Sequence, residues 1–182
     1  MINTFQGESI TCLLNELSNQ RIICIEGHTG SGKTTAGKEV ATLFNAKFFD
    51  TDDYVIKDEE SNNIKLYNEM VDTQKLSQDL QNEKGRIVIV GICLRKTLQA
   101  ITLPEKPLFI YIKKISRSSG LWLEEATLED LIEKKCDIST IKEPHASDYR
   151  YMMEMKPQDN ADIIFERFEE KIQLPDSSNQ TS

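Results

Sequence analysis

Residues Gly27 to Thr34 read GHTGSGKT, a match to G-x-x-x-x-G-K-[ST], and few other stretches of eight residues restrict a fold so tightly. The pattern makes physical sense only between a buried strand and the start of a helix. Its glycines let the backbone curl until successive N–H groups point at phosphate oxygens, and the helix that follows adds its positive end. Both flanks are present. Ile22, Ile23, Cys24 and Ile25 form the continuous apolar run of a strand covered on two faces, and Lys33 to Phe44 has a helical pattern. In such a loop Gly27, His28, Thr29, Gly30, Ser31, Gly32, Lys33, Thr34 and Thr35 are the candidate phosphate-binding residues. Lys33 reaches the β- and γ-phosphates of ATP, Thr34 offers its hydroxyl to Mg2+, and His28 reads as a spacer.

The rest of the chain alternates in the same way. Ala46 to Phe49 predicts a second strand running into Asp50, Thr51, Asp52 and Asp53. A polar loop over Asp58 to Asn63 follows, then a helix from Leu66 to Lys84 closed by Gly85 as C-cap. Ile87 to Val90 predicts a third strand, Leu94 to Ile101 a helix, Leu108 to Ile112 a fourth strand and Ala161 to Phe165 a fifth. Leu123 to Lys135 is acidic first and basic last, as a helix dipole favours, and Ser147 to Met155 is also helical in pattern. Ahead of the first strand, Ile10, Leu13, Leu14 and Leu17 predict a helix over 8–19. The expected architecture is a three-layer α/β fold, a five-stranded essentially parallel sheet flanked by helices, in one domain over 1–174 with a disordered tail over 175–182.

Charge and thiols narrow the class. Thirty acidic against 22 basic side chains argue against a general nucleic-acid backbone binder, which needs clustered Lys and Arg. The cysteines Cys12, Cys24, Cys93 and Cys136 are scattered, without a Cys-x-x-Cys pair, so reduced thiols fit better than a structural zinc. No apolar run approaches a bilayer span and the N-terminus has no signal-peptide pattern, so the expectation is a cytoplasmic protein with no membrane partner.

Asp50, Asp52 and Asp53 fall at the C-terminal end of the second strand, the edge of an open α/β sheet where ligands bind. Carboxylates spaced by one residue can divide two tasks, one holding metal-bound water and the other taking a proton from an attacking hydroxyl. An acidic helix start is the plainer alternative, since Asp caps helices well.

Together, GHTGSGKTT at 27–35, FFDTDDY at 48–54, GRIVIVGICL at 85–94, FIYIKKISR at 109–117 and KPQDNADIIFE at 156–166 resemble the small P-loop kinases of the uridine kinase and shikimate kinase type. The resemblance implies transfer of the γ-phosphoryl group of Mg-ATP to a hydroxyl of a small-molecule acceptor, a nucleoside such as uridine being the first to consider. It implies Asp52 as general base, Asp50 and Thr34 on the metal side, and a lid over 114–140 whose basic residues neutralise the transferring group. Lys113, Lys114 and Arg117 match the start of that lid, with Arg150 on the next helix. One departure is plain: uridine-kinase-like chains carry an acid just before the glycine that ends the third strand, where this chain has Val90 before Gly91. That departure keeps open a nucleotide-binding regulator with weak or no catalysis. A small GTPase is excluded by the absence of D-x-x-G and N-K-x-D motifs.

Overall fold

The computed structural model describes residues 2–56 and 66–168. Its strands are β1 (Asn3–Gly7), β2 (Ile22–Gly27), β3 (Lys47–Asp50), β4 (Ile87–Gly91), β5 (Leu108–Ile115) and β6 (Ile163–Phe168). The α-helices are α1 (Leu14–Leu17), α2 (Lys33–Leu43), α3 (Tyr67–Met70), α4 (Thr73–Asn82), α5 (Leu94–Leu98), α6 (Glu125–Ile132), α7 (His145–Met155) and α8 (Pro157–Asn160). All five strand pairings are parallel, in the order β1-β6-β5-β2-β4-β3.

Alternation along the central strands builds the layers. Ile23 and Ile25 of β2, Val88 and Val90 of β4, and Ile110 and Ile112 of β5 pack with Ala36, Val40 and Ala41 of α2 and with Ile10, Leu13 and Leu17. The opposite side of the sheet splits in two. Cys24, Ile87 and Ile89 meet Leu76 and Leu80 of α4 and Leu94 of α5, whereas Tyr111 and Ile164 meet α6 and α7 through Leu128, Leu131, Tyr149 and Met152. Side chains on both faces are removed from water, the condition under which a parallel sheet carries unbroken apolar runs.

The sheet has six strands where five were expected. The extra one, β1, has the polar sequence NTFQG and is mostly exposed; only Phe5 packs on the core, so no apolar run marks it. Pairing with β6 from Asn3↔Ile163 to Gly7↔Arg167 makes it a strand. The helix expected over 8–19 is instead a 3-10 turn, Ile10–Leu13, followed by the single turn α1. Ser9 stops any extension backwards, because its hydroxyl caps the Thr11 N–H.

The helix expected from Leu66 to Lys84 is broken into α3 and α4. Val71 bridges to Val55, and the Asp72 carboxylate caps the Lys75 N–H to start α4 afresh. That second helix ends at Asn82, and Gly85 is not its left-handed cap but a turn residue whose N–H donates to Glu83 at 2.8 Å. Strand β5 runs three residues beyond the expected Ile112, because Lys113 and Lys114 pair with Glu166 and Arg167 of β6. The start of the expected lid is therefore strand. Beyond it Ser116 and Leu121 close a turn around Gly120, Trp122 bridges back to Ile115, and α6 lays Leu128 and Leu131 on the core. The polar loop expected within Asp58 to Asn63 and the tail over 175–182 lie outside the described residues. No described helix is long and apolar enough to cross a membrane.

Candidate functional site

Strand β2 delivers the glycine-rich loop at the C-terminal edge of the sheet, and α2 begins at Lys33 without any side chain capping its first N–H groups. Gly30 and Gly32 have φ of +81° and +90°, values that L side chains rarely adopt. These two residues turn the chain so that the loop wraps the open end of α2, leaving uncommitted donors and a helix N-terminus together. The Lys33 ammonium is half-buried and donates to the His28 carbonyl at 3.4 Å. Burial pushes its pKa down, while the charges of Asp148, Asp52 and Asp50 push it back up. A half-buried cation in the field of three carboxylates, beside an uncapped helix start, suits a polyphosphate and its counter-ion.

Across the loop, Asp50 ends β3. Its Oδ2 accepts the Thr34 hydroxyl at 3.1 Å and its Oδ1 the Asp52 N–H at 3.1 Å. Burial raises its pKa, opposed by those hydrogen bonds. The Asp52 carboxylate is exposed and accepts the phenol of Tyr67, which also shares a 3.1 Å hydrogen bond with the Thr51 hydroxyl. Thr51 in turn abuts Gly91, where a Cβ would stand 2.0 Å from its Oγ1. Thus β3, β4 and α3 jointly set the place of Asp52. Asp53 turns elsewhere: with Lys47, Phe49, Tyr54, Lys75 and Asp79 it lines a cavity of about 490 Å³ that contains none of the loop residues.

Val90 is 0% exposed, and a Cβ on Gly37 would stand 2.3 Å from its Cγ1. It is a packing residue of the α2 face with no room for an acid. Asp50 stands beside it in the next strand, and Glu26 of β2, also buried, faces the other layer. There it accepts Arg95 Nε at 2.6 Å and the Tyr151 phenol at 2.6 Å, bracing α5 and α7 against β2.

His28 is more than a spacer. It is buried, its Nε2 and His145 Nδ1 share a 2.9 Å hydrogen bond, and its ring leans on Tyr149 with centroids 4.8 Å apart. Burial, with the charges of His145 and Lys33, pushes its pKa down to about 4, so it is neutral at physiological pH. Thr29 is fastened by Asp148, which accepts both its N–H and its hydroxyl at 2.7 Å. Sequence reasoning missed Asp148 and Glu26 alike. The only available signal was the cost of burying a carboxylate, which shows once burial is known.

Outside the loop, Gly30, Ser31, Gly32, Thr35, Lys114, Arg167 and Phe168 line a cavity of about 340 Å³. The Arg167 guanidinium lies across Gly32, leaving no room for a Cβ there. Arg117 pairs with Glu8 and lies 5.6 Å over the Phe168 ring, which lines this cavity. Lys113 lies over Trp122 and Arg150 pairs with Glu143 at 2.9 Å. The structure therefore brings Lys33, Thr34, Asp50 and Asp52 together. Arg117 pairs with Glu8, and Arg150 with Glu143.

The shikimate kinase family model matches residues 29–114, from the loop almost to the end of β5. Among solved structures, a possible uridine kinase from Bacillus stearothermophilus is 14% identical with a TM-score of 0.54, over 86% of this chain and 96% of that one. Shikimate kinase from Acinetobacter baumannii in complex with shikimate is 14% identical with a TM-score of 0.43, over 86% and 88%. No curated protein sequence matches the chain significantly. The α/β fold, with its parallel sheet flanked by helices, is that of P-loop kinases. Fold and family match together support a P-loop small-molecule kinase of the nucleoside-kinase-like type, and with it ATP-dependent phosphotransfer to a small molecule.

Proposed function

We propose that the chain transfers the γ-phosphoryl group of ATP to a hydroxyl of a small-molecule acceptor, with a nucleoside such as uridine the first to test. The observation that carries this reading is the grouping of Lys33, Thr34, Asp50 and Asp52 around one loop end, joined by the Thr34–Asp50 and Asp50–Asp52 hydrogen bonds.

In this reading Lys33 and the free N–H groups at the start of α2 hold the β- and γ-phosphates. Asp52 takes the proton of the acceptor hydroxyl as its oxygen bonds to the γ-phosphorus, and the bond from that phosphorus to the β–γ bridging oxygen breaks to release ADP. Magnesium, when bound, neutralises charge on the two phosphates, and the Thr34 hydroxyl and Asp50 are the residues to hold it, the carboxylate acting through water. The cavity beside Gly32, with Lys114, Arg167 and Phe168, is the place for the rest of the nucleotide, and Arg117, over the Phe168 ring, is the lid cation to test. The free state of Cys12, Cys24, Cys93 and Cys136 agrees with a cytoplasmic setting.

The test is ADP release from Mg-ATP across a panel of nucleosides, polyols and hydroxy acids. Asp52→Asn should lower kcat by about 10²- to 10⁴-fold while Mg-ATP still binds. Lys33→Ala should abolish the stabilisation of about 2.7 kcal/mol expected for wild type at a hundred times its Kd. The buried Val90 favours one second reading, a nucleotide-binding regulator without turnover. Mg-ATP binding with no ADP release for any acceptor would establish that one instead.

A further inference from the structure

Asp148, in the first half of α7, is 2% exposed, yet its carboxylate is aimed at the glycine-rich loop 119 residues earlier in the chain. One oxygen, Oδ2, accepts the Thr29 N–H at 2.7 Å and the Thr29 hydroxyl at 2.7 Å, and stands 3.3 Å from His28 Nδ1. A carboxylate withdrawn from water survives only where donors and charge meet it. Here they come from the loop itself: Thr29 directly, and the Lys33 ammonium through its field. Burial raises the acid's pKa, and those same contacts pull it back toward the ionised form.

The loop has reason to need such a tether. Two glycines within three residues, Gly30 and Gly32, leave the segment after Thr29 with more backbone freedom than any other part of the loop. Within the loop the Ser31 N–H bonds the His28 carbonyl at 3.0 Å, which fixes the turn but not its direction relative to the sheet. Thr29 stands at the head of that turn, and Asp148 ties it to a long helix packed on the core through Tyr149 and Met152. The His28–His145 hydrogen bond at 2.9 Å is a second tie between the same loop and the same helix.

We propose that Asp148 is a positioning residue of the phosphate loop: by holding both donors of Thr29 from α7, it orders the loop for the phosphates of ATP before they arrive. The proposal rests on the nucleotide-binding reading above. It also makes a prediction of unusual sign. Asp148 is a negative charge close to Lys33, so electrostatics alone requires that removing it tighten the binding of a polyphosphate. Positioning requires the reverse.

The experiment is calorimetric titration of the full chain with Mg-ATP at 10 °C, comparing wild type with Asp148→Ala, Asp148→Asn and Thr29→Val. Hydrogen exchange of a peptide spanning 27–34 is followed in parallel without nucleotide. Loss of a charge-assisted pair of hydrogen bonds should weaken Mg-ATP about tenfold or more in Asp148→Ala. Asp148→Asn, whose amide oxygen still accepts, and Thr29→Val, which keeps the N–H, should fall between it and wild type. The loop peptide should exchange faster in both Asp148 variants. If Asp148→Ala does not fold, the two near-isosteric variants carry the same comparison. Unchanged or tighter Mg-ATP binding in the folded variants overturns the proposal, even if their melting temperatures fall, because a merely structural acid would behave in that way. A wild type that binds no Mg-ATP overturns this inference and the proposed function together, whereas binding by wild type and variants alike overturns this inference alone.

Discussion

Replacing Tyr67 with phenylalanine removes one oxygen and leaves a buried ring in place, which makes it the cleanest probe of how Asp52 is held. That oxygen serves two partners, the Asp52 carboxylate and the Thr51 hydroxyl. A hydrogen bond to a charged group contributes about 1.5–3 kcal/mol and a neutral one about 0.5–1.5 kcal/mol. Asp52 is exposed, so water takes over its half, while Thr51 is buried and is not rescued in that way. The net cost should therefore be about 1–2 kcal/mol, a fall of about 2–8 °C in Tm for a chain of this size. The alkaline behaviour should change too. Burial, and then the bond to Asp52, raise the Tyr67 pKa, so the folded state prefers the neutral phenol. A raised folded pKa contributes stability that is complete below the unfolded value of about 10 and is lost as pH rises beyond it. Wild type should lose stability above that pH, and Tyr67→Phe should lose less. With Asp52 no longer oriented, kcat should drop about tenfold and KM for ATP hold, since one misplaced base costs less than its removal. Urea unfolding from pH 7 to 11 and initial rates of ADP release measure both effects. An unchanged kcat together with an unchanged alkaline limb would refute the idea that Tyr67 sets the place of Asp52.

Asp50 gives a prediction of a different kind, because it touches the Thr34 hydroxyl and the Asp52 backbone at once. Asp50→Ala should raise the magnesium concentration for half-maximal rate and lower kcat together, about tenfold or more in each; a magnesium titration of ADP release that matches wild type would exclude it from the metal side. Val90→Glu should be destabilising by about 3 kcal/mol or more, since it drives a carboxylate into the fully buried contact with Gly37. Equilibrium unfolding in urea checks this, and a stable Val90→Glu with faster turnover would show that the strand end can host a metal-directing acid after all.

What the sequence disclosed and what it hid follow from the distance over which each feature is decided. β2, the loop and α2 are written in the 22 adjacent residues from Ile22 to Leu43, whose apolar run, glycines and helical period agree with one another, so local reading suffices. β1 has the opposite character. Its polar residues become a strand only because β6, more than 150 residues away, offers a parallel edge. The break between α3 and α4 is hidden for a subtler reason: Leu66, Met70, Leu76 and Leu80 keep one helical period across it. Period reports which side faces the core and says nothing of whether the backbone between two buried turns is continuous. Lys113 and Lys114 mislead in the other direction, since two lysines read as loop until Glu166 and Arg167 are found beside them in the neighbouring strand.

The candidate site divides along the same line. Lys33, Thr34, Asp50 and Asp52 carry chemistry in their own residue types and stand where β2 and β3 give way to α2 and the acidic turn, the edge where an open parallel sheet gathers ligands, so their grouping could be anticipated. Asp148 and Glu26 could not be, and the tie of Tyr67 to Asp52 could not be, because an acid or a phenol is ordinary until it is buried. Once buried, each must have partners: Asp148 finds Thr29 in the loop, Tyr67 finds Asp52 in the acidic turn, and Glu26 takes the Arg95 and Tyr151 side chains that hold two helices to the strand feeding the loop. The groups with chemistry thus gather at the sheet edge, and Asp148 and Tyr67, which hold them, come from helices. A substitution on α3 or α7 should therefore alter nucleotide handling without touching the motif that announces it.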